Sequence, residues 1–155
     1  MRWVICAFLI ERGVYMKKII IFVAVLLFIV PSACAATLDD VSDYAAILGG
    51  SELVNGNERD PYIQYKQDNC IITIKQEKDK LVAVFVQGSG DQFLAYCSAA
   101  LAAFDPKGKT TSLGELMIMY LMAHNQEGHQ DGQTSNGFFF FLEPKEDVFI
   151  FSIME

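Results

Sequence analysis

The sequence predicts an α+β domain, an antiparallel sheet of about five strands with helices packed on one face, in the element order αβββααββ. Two observations carry this. The strand-like runs are grouped, residues 62–86 and residues 137–154, and are not alternated with helices as a parallel sheet would require. Two successive helical patterns, opening near Ser89 and Ser112, sit together between the groups.

Taken in order, Thr37 precedes a helical pattern that sets Leu38, Val41, Tyr44, Ala45 and Leu48 on one side, and Gly49-Gly50 ends it. Residues 51–60 are polar and turn-rich and read as loop. Residues 62–67 alternate as a strand, Asp68-Asn69 turns the chain into residues 70–76, and residues 77–80 turn it again into the β-branched run 81–86. Gly88-Ser89-Gly90 closes this three-stranded unit.

Ser89 with Gln92 has the spacing of a capping box, and Phe93, Tyr96, Cys97, Ala100, Leu101 and Phe104 follow at helical intervals until Asp105-Pro106. Ser112 with Glu115 repeats the pattern before a stripe of Leu113, Leu116, Met117, Tyr120, Leu121 and His124. Ile118, Met119 and Met122 make the other side of that helix apolar too, which implies burial between two layers, or else a face for a partner. Residues 125–136 read as a polar loop, and residues 137–142 and 148–154 as a terminal hairpin around the turn at residues 143–147.

Ahead of the domain lies the grammar of a bacterial secretory signal. Met16-Lys17-Lys18 is followed by the apolar run 19–30 and by Pro31-Ser32-Ala33-Cys34-Ala35, small residues of the kind a signal peptidase cleaves beside. The expected organisation is a mis-called extension at 1–15, a signal peptide at 16–35, and a single domain at 36–155, in the periplasm or secreted. The apolar run is shorter than the roughly 20 residues that span a bilayer, so membrane contact is expected through the signal peptide alone. A lipid anchor on Cys34 is the alternative, against which Pro31 stands where such signals carry Leu.

Cleavage would remove four of 12 bases and one of 19 acids, leaving 8 against 18 and a net charge of −10 (8 − 18). Such a surface repels phosphates, so nucleic acid is excluded as a partner and a basic protein is the natural one. The acids expected to meet it are Asp39, Asp40 and Asp43, on the polar side of the first helix, with Glu127 and Asp131 in the long loop.

The domain keeps Cys70 and Cys97, and both fall on core-facing positions of their elements. In an exported chain this predicts a disulfide, which in the chain-entropy account would contribute roughly 3.5 kcal/mol. Chemistry-bearing motifs are sparse. His124 and His129, with Glu127 and Asp131, gather enough donors for a metal ion, but at no established ligand spacing, so no metal or other cofactor is expected. Gly108-Lys109-Thr110 has the tail of a phosphate-binding loop without its opening glycine, and reads as a helix–helix turn. No GxSxG elbow is present. The functional expectation is a non-catalytic inhibitor-like or immunity-type binding protein. The alternative is a small periplasmic hydrolase or ligand carrier, with a cleft between the helices and the Phe-rich hairpin.

Overall fold

Thr37 and Asp40 close a reciprocal cap at the head of helix α1 (Leu38–Ile47) in the structure, a computed structural model that describes residues 36–125 and 128–154. The Thr37 hydroxyl accepts from the Asp40 N–H at 3.2 Å, and the Asp40 carboxylate accepts from the Thr37 N–H at 2.9 Å. At the other end Gly49, at φ +93°, lets the Gly50 N–H reach back to the Ala45 carbonyl at 2.9 Å, a Schellman closure only a left-handed residue permits. The helix buries Val41, Tyr44 and Ala45 as its periodicity requires. The expected extension at 1–15 and signal peptide at 16–35, with Cys34, and Glu127 lie outside the described residues.

The strands are β1 (Asn57–Arg59), β2 (Tyr62–Gln67), β3 (Cys70–Glu77) and β4 (Lys80–Gly88), then β5 (Gln130–Gln133), β6 (Phe139–Lys145) and β7 (Val148–Met154). Between the groups run α2 (Gly90–Phe104) and α3 (Lys109–His124). The fold is α+β as expected, but among the described residues the sheet has seven antiparallel strands in the order β1-β2-β3-β4-β7-β6-β5. The two added strands are short and polar: Asn57, Glu58 and Arg59 are all exposed, and β5 reads Gln-Asp-Gly-Gln. Both are edge strands fixed by pairing, with no apolar alternation of their own.

Asp68-Asn69 and Lys78-Asp79 both have positive φ at each central residue, the type I′ geometry that suits tight twisted hairpins. β7 then pairs with β4, so the two meanders form one sheet, and neighbouring residues fall into rows straight across it. One face is buried: Ile72, Ile74, Val84, Val86, Phe140, Leu142, Phe151 and Ile153 lie beneath the helices. The other face alternates with it and is partly exposed. Its rows read Lys66, Ile71, Gln87, Ile150, Glu143, then Gln64, Thr73, Phe85, Ser152, Phe141, and then Tyr62, Lys75, Ala83, Met154, Phe139.

Helix α2 is the centre of the core, with eleven residues buried, among them Phe93, Tyr96 and Leu101. Each such large side chain contributes about 1.5–3 kcal/mol by leaving water. Helix α1 packs on α2 towards one end of the sheet, and α3 packs on α2, β5 and β6 towards the other. Ser89 is the N-cap residue of α2, as expected, yet its side chain makes no capping bond. The second expected capping box is absent: α3 opens at Lys109, a turn earlier than Ser112, and the Ser112 hydroxyl donates to Asp105 instead.

Candidate functional site

The two apolar sides of α3 divide differently from the expected stripe. Met119, expected on the far side, is buried, while Ile118 on that side is 60% exposed and Leu121, expected in the inward stripe, is 55% exposed, because α3 is the outermost helix and has one neighbour layer rather than two. Ile118, Met119 and Met122 form the floor of an open groove of about 570 Å³ between α3 and β5, with Glu115, Gln130 and Asp131 along it. Gly132, next to Asp131, leaves room for Phe140 across the β5–β6 pair, whose ring would meet any added Cβ. That packing holds the short strand, and with it Asp131, beside the helix.

The expected acidic residues are thereby divided. Asp131 lies on the β5 edge of the groove, and its pairing with Phe141 turns its side chain towards the sheet's other face. Asp39 and Asp43 are exposed on α1, over the other end of the sheet. Asp40 is committed to the α1 cap, where its carboxylate also accepts from the Thr37 hydroxyl at 2.8 Å. Glu115, expected in a cap, is instead the acid on the helix side of the groove. Its i−3 relation to Ile118 was the available signal, since residues three apart share a helix face.

His124 and His129 do not converge. His124 stacks on Tyr120 at a centroid separation of 5.5 Å and touches Phe149 on the helix-covered face. His129 stacks on Phe141, whose place in the strand alternation is the opposite face, at 5.5 Å. Among the described residues no group of three potential ligands is close enough to hold a metal ion.

The most enclosed polar cluster surrounds Asp105, which is 1% exposed. Its carboxylate accepts from the Gly108 N–H at 2.9 Å, the Ser112 hydroxyl at 3.1 Å, and the Ser135 N–H and hydroxyl, each at 2.8 Å. A serine beside a buried carboxylate suggests a hydrolytic pair, but the nearest helical imidazole, His124, is 12 residues along α3, about 18 Å at the helical rise. The cluster is a tie between the α2–α3 turn and the β5–β6 turn. Lys109, beside it in sequence, is buried and its ammonium pKa is pushed down by that burial. Gly108 caps α3, accepting from the Thr111 and Ser112 N–H groups, so Gly108-Lys109-Thr110 is the helix–helix turn expected.

Comparison with protein-family models, with curated proteins and with solved structures finds no match to this chain. The functional argument therefore rests on the groove and on the surface around it.

The disulfide between Cys70 and Cys97 is not formed: both are free, buried thiols. Each faces the core as expected. Inward orientation does not fix where the sulfur points, however, and Cys70 Sγ fills the space above Gly88 on β4, 2.6 Å from where a Cβ would stand. Burial, with the charge of Asp68 adding to it, pushes the Cys70 thiol up to about 11, and burial drives Cys97 well above its ordinary value. Reactivity follows the thiolate. In the folded protein neither cysteine is expected to react with a thiol reagent at pH 8 within minutes, and both are expected to react in denaturant. A non-reducing denatured sample with no reactive thiol would reject this arrangement.

Proposed function

We propose that the protein is an exported, non-catalytic binding protein that takes a basic amphipathic segment of a partner protein into the α3–β5 groove. The observation that carries this is the exposed apolar floor, with Ile118 60% exposed, bordered by Glu115 on α3 and by the β5 edge on which Asp131 sits. An apolar face flanked by like charges suits a segment that presents apolar residues on one side and Lys or Arg at its margins. The net charge of −7 would add steering towards a basic partner. The competing carrier or hydrolase calls for a cleft between the helices and the Phe-rich hairpin. That space is filled by Phe93, Tyr120 and Phe149, whose ring centroids lie 4.9–6.2 Å apart.

The test is titration of a labelled Lys-rich amphipathic peptide, with a Glu-rich peptide of the same apolar pattern as control. Ile118→Asp is expected to weaken binding of the basic peptide about tenfold or more, as loss of a central apolar anchor does. Glu115→Lys with Asp131→Lys should mainly slow association and flatten its salt dependence. Asp39→Lys with Asp43→Lys, at the other end of the sheet, should change little. Equal binding of both peptides, or indifference to Ile118→Asp, would reject the groove. Export is checked by intact mass: protein recovered from a periplasmic fraction should begin at Ala36 and lack Trp3, the chain's one tryptophan.

A further inference from the structure

The sheet face away from the helices carries more apolar surface than its acidic composition suggests. Phe85, Ile71 and Ile150 occupy its middle and Phe139, 53% exposed, lies towards one side. Its charges lean to opposite sides: Arg59, Lys66 and Lys75 lie on one side of β4 and Asp131 and Glu143 on the other, with Lys145, two places from Glu143 on β6, the exception. Lys66 is on β2, two strands to one side of β4, and Glu143 is on β6, two strands to the other side, in the same row across the sheet. The nearby Lys75 is already paired with Glu77 at 2.8 Å.

We propose that this face packs against the same face of a second copy of the chain, about a two-fold axis running along β4. β4 is the fourth of seven strands, so this axis lays β2 of one copy over β6 of the other and β3 over β7. Because the rows run straight across, Lys66 then meets Glu143 of the second copy twice per dimer, Ile71 meets Ile150, and Phe85 meets its own equivalent near the axis. An axis running across the strands would instead lay β2 on β2 and β6 on β6, so that Lys66 would not meet Glu143. The charge pattern therefore selects both the partner and the axis. Face-to-face sheets pack about 10 Å apart with strands within about 30° of alignment, within reach of a lysine and a glutamate side chain. A closed two-fold contact of this kind uses one self-complementary patch, and it leaves the α3–β5 groove open on the helix side.

The experiment is sedimentation velocity of the protein recovered after expression of the full chain, across roughly 1–100 μM, the range in which weak to moderate interfaces associate. A concentration-dependent dimer is expected. Lys66→Glu and Glu143→Lys should each raise the dissociation constant about tenfold or more, because each places two like-charge pairs across the interface. Combining them should return it to within about threefold of the parent, the signature of a direct pair. Gln87→Cys, exposed and central on β4, should be bridged between chains by a short bis-maleimide that leaves the parent unbridged. Circular dichroism and the thermal midpoint show whether each variant is folded. A monomer at every concentration, a dimer indifferent to both single reversals, failure of the combined reversal to recover it, or the face found covered by residues 1–35 or by a different protein would overturn the proposal.

Discussion

Asp105→Ala is expected to lower the unfolding free energy by about 3–5 kcal/mol, as removal of a buried charged acceptor from its partners does. The substitution leaves four donors facing a cavity: two backbone N–H groups, from Gly108 and Ser135, and the hydroxyls of Ser112 and Ser135. Each buried donor left unpaired costs on the order of 1–3 kcal/mol, and entry of water recovers part of the sum. The damage would also spread. Asn136 donates to the Phe104 carbonyl at 2.7 Å, and the Thr134 N–H bonds the Phe138 carbonyl at 2.8 Å, so the whole β5–β6 turn rests on the anchored α2–α3 turn. Against a typical margin of about 5–15 kcal/mol the thermal midpoint should fall by roughly 10–20 °C. Asp105→Asn should cost less, since one oxygen survives as an acceptor. Gly108→Ala should resemble the alanine variant, because its Cβ would collide with Ser135 and with the Asp105 carboxylate. Thermal and urea unfolding measure all three; an Asp105→Ala loss below about 1 kcal/mol would show that the network is replaced by water without cost.

The same turn shows what the sequence could and could not disclose. Helices and long strands were legible because burial on one side writes a period into the chain: Val41, Tyr44 and Ala45 in α1, Ile72 and Ile74 in β3, Phe149, Phe151 and Ile153 in β7. β1 and β5 were hidden because an edge strand made of Asn-Glu-Arg or Gln-Asp-Gly-Gln buries almost nothing. Asp105 was visible as a helix stop, beside Pro106, but its partners are 30 residues away at Ser135, and no local pattern encodes that distance. The cysteines mark a similar boundary, for parity placed both in the core while their side-chain directions depend on Gly88 across the strand pair.

The candidate site was half legible for the same reason. A helix apolar on both sides announces a second contact, yet whether that contact lies within the chain depends on how many layers the fold builds. With α3 outermost there is no second layer, and Ile118 and Leu121 remain open. The acids of the sequence share only an expected exposure. The structure separates them: Asp40 serves the α1 cap, while Asp39 and Asp43 are exposed on the same helix.

Tyr96→Phe is expected to cost about 1.5–3 kcal/mol at neutral pH, the range for a hydrogen bond to a charged group, with partial exposure of the carboxylate holding the loss towards the lower end. Tyr96 is fully buried in α2, and its hydroxyl donates to the Asp68 carboxylate at 2.6 Å, in the β2–β3 turn. Ser51 completes the knot, its N–H and hydroxyl donating to the same carboxylate at 2.8 and 3.0 Å. These bonds, Tyr96 first, hold the Asp68 pKa below its ordinary 3.8, while burial and the Asp68 hydrogen bond raise that of Tyr96. The signs then fix the pH dependence. A carboxylate with a depressed folded pKa contributes its full stability above the unfolded value and loses it as pH falls through the folded one, so the contribution should fade below pH 3.8. A phenol with a raised folded pKa contributes below its ordinary 10.0, so the bond is complete across the neutral range. Urea unfolding of parent and Tyr96→Phe at pH 7 and at pH 3 should therefore show a gap that narrows in acid. A gap unchanged between the two would mean that the hydroxyl stabilises the fold without regard to the charge of Asp68, through its bonds to the Ser51 backbone.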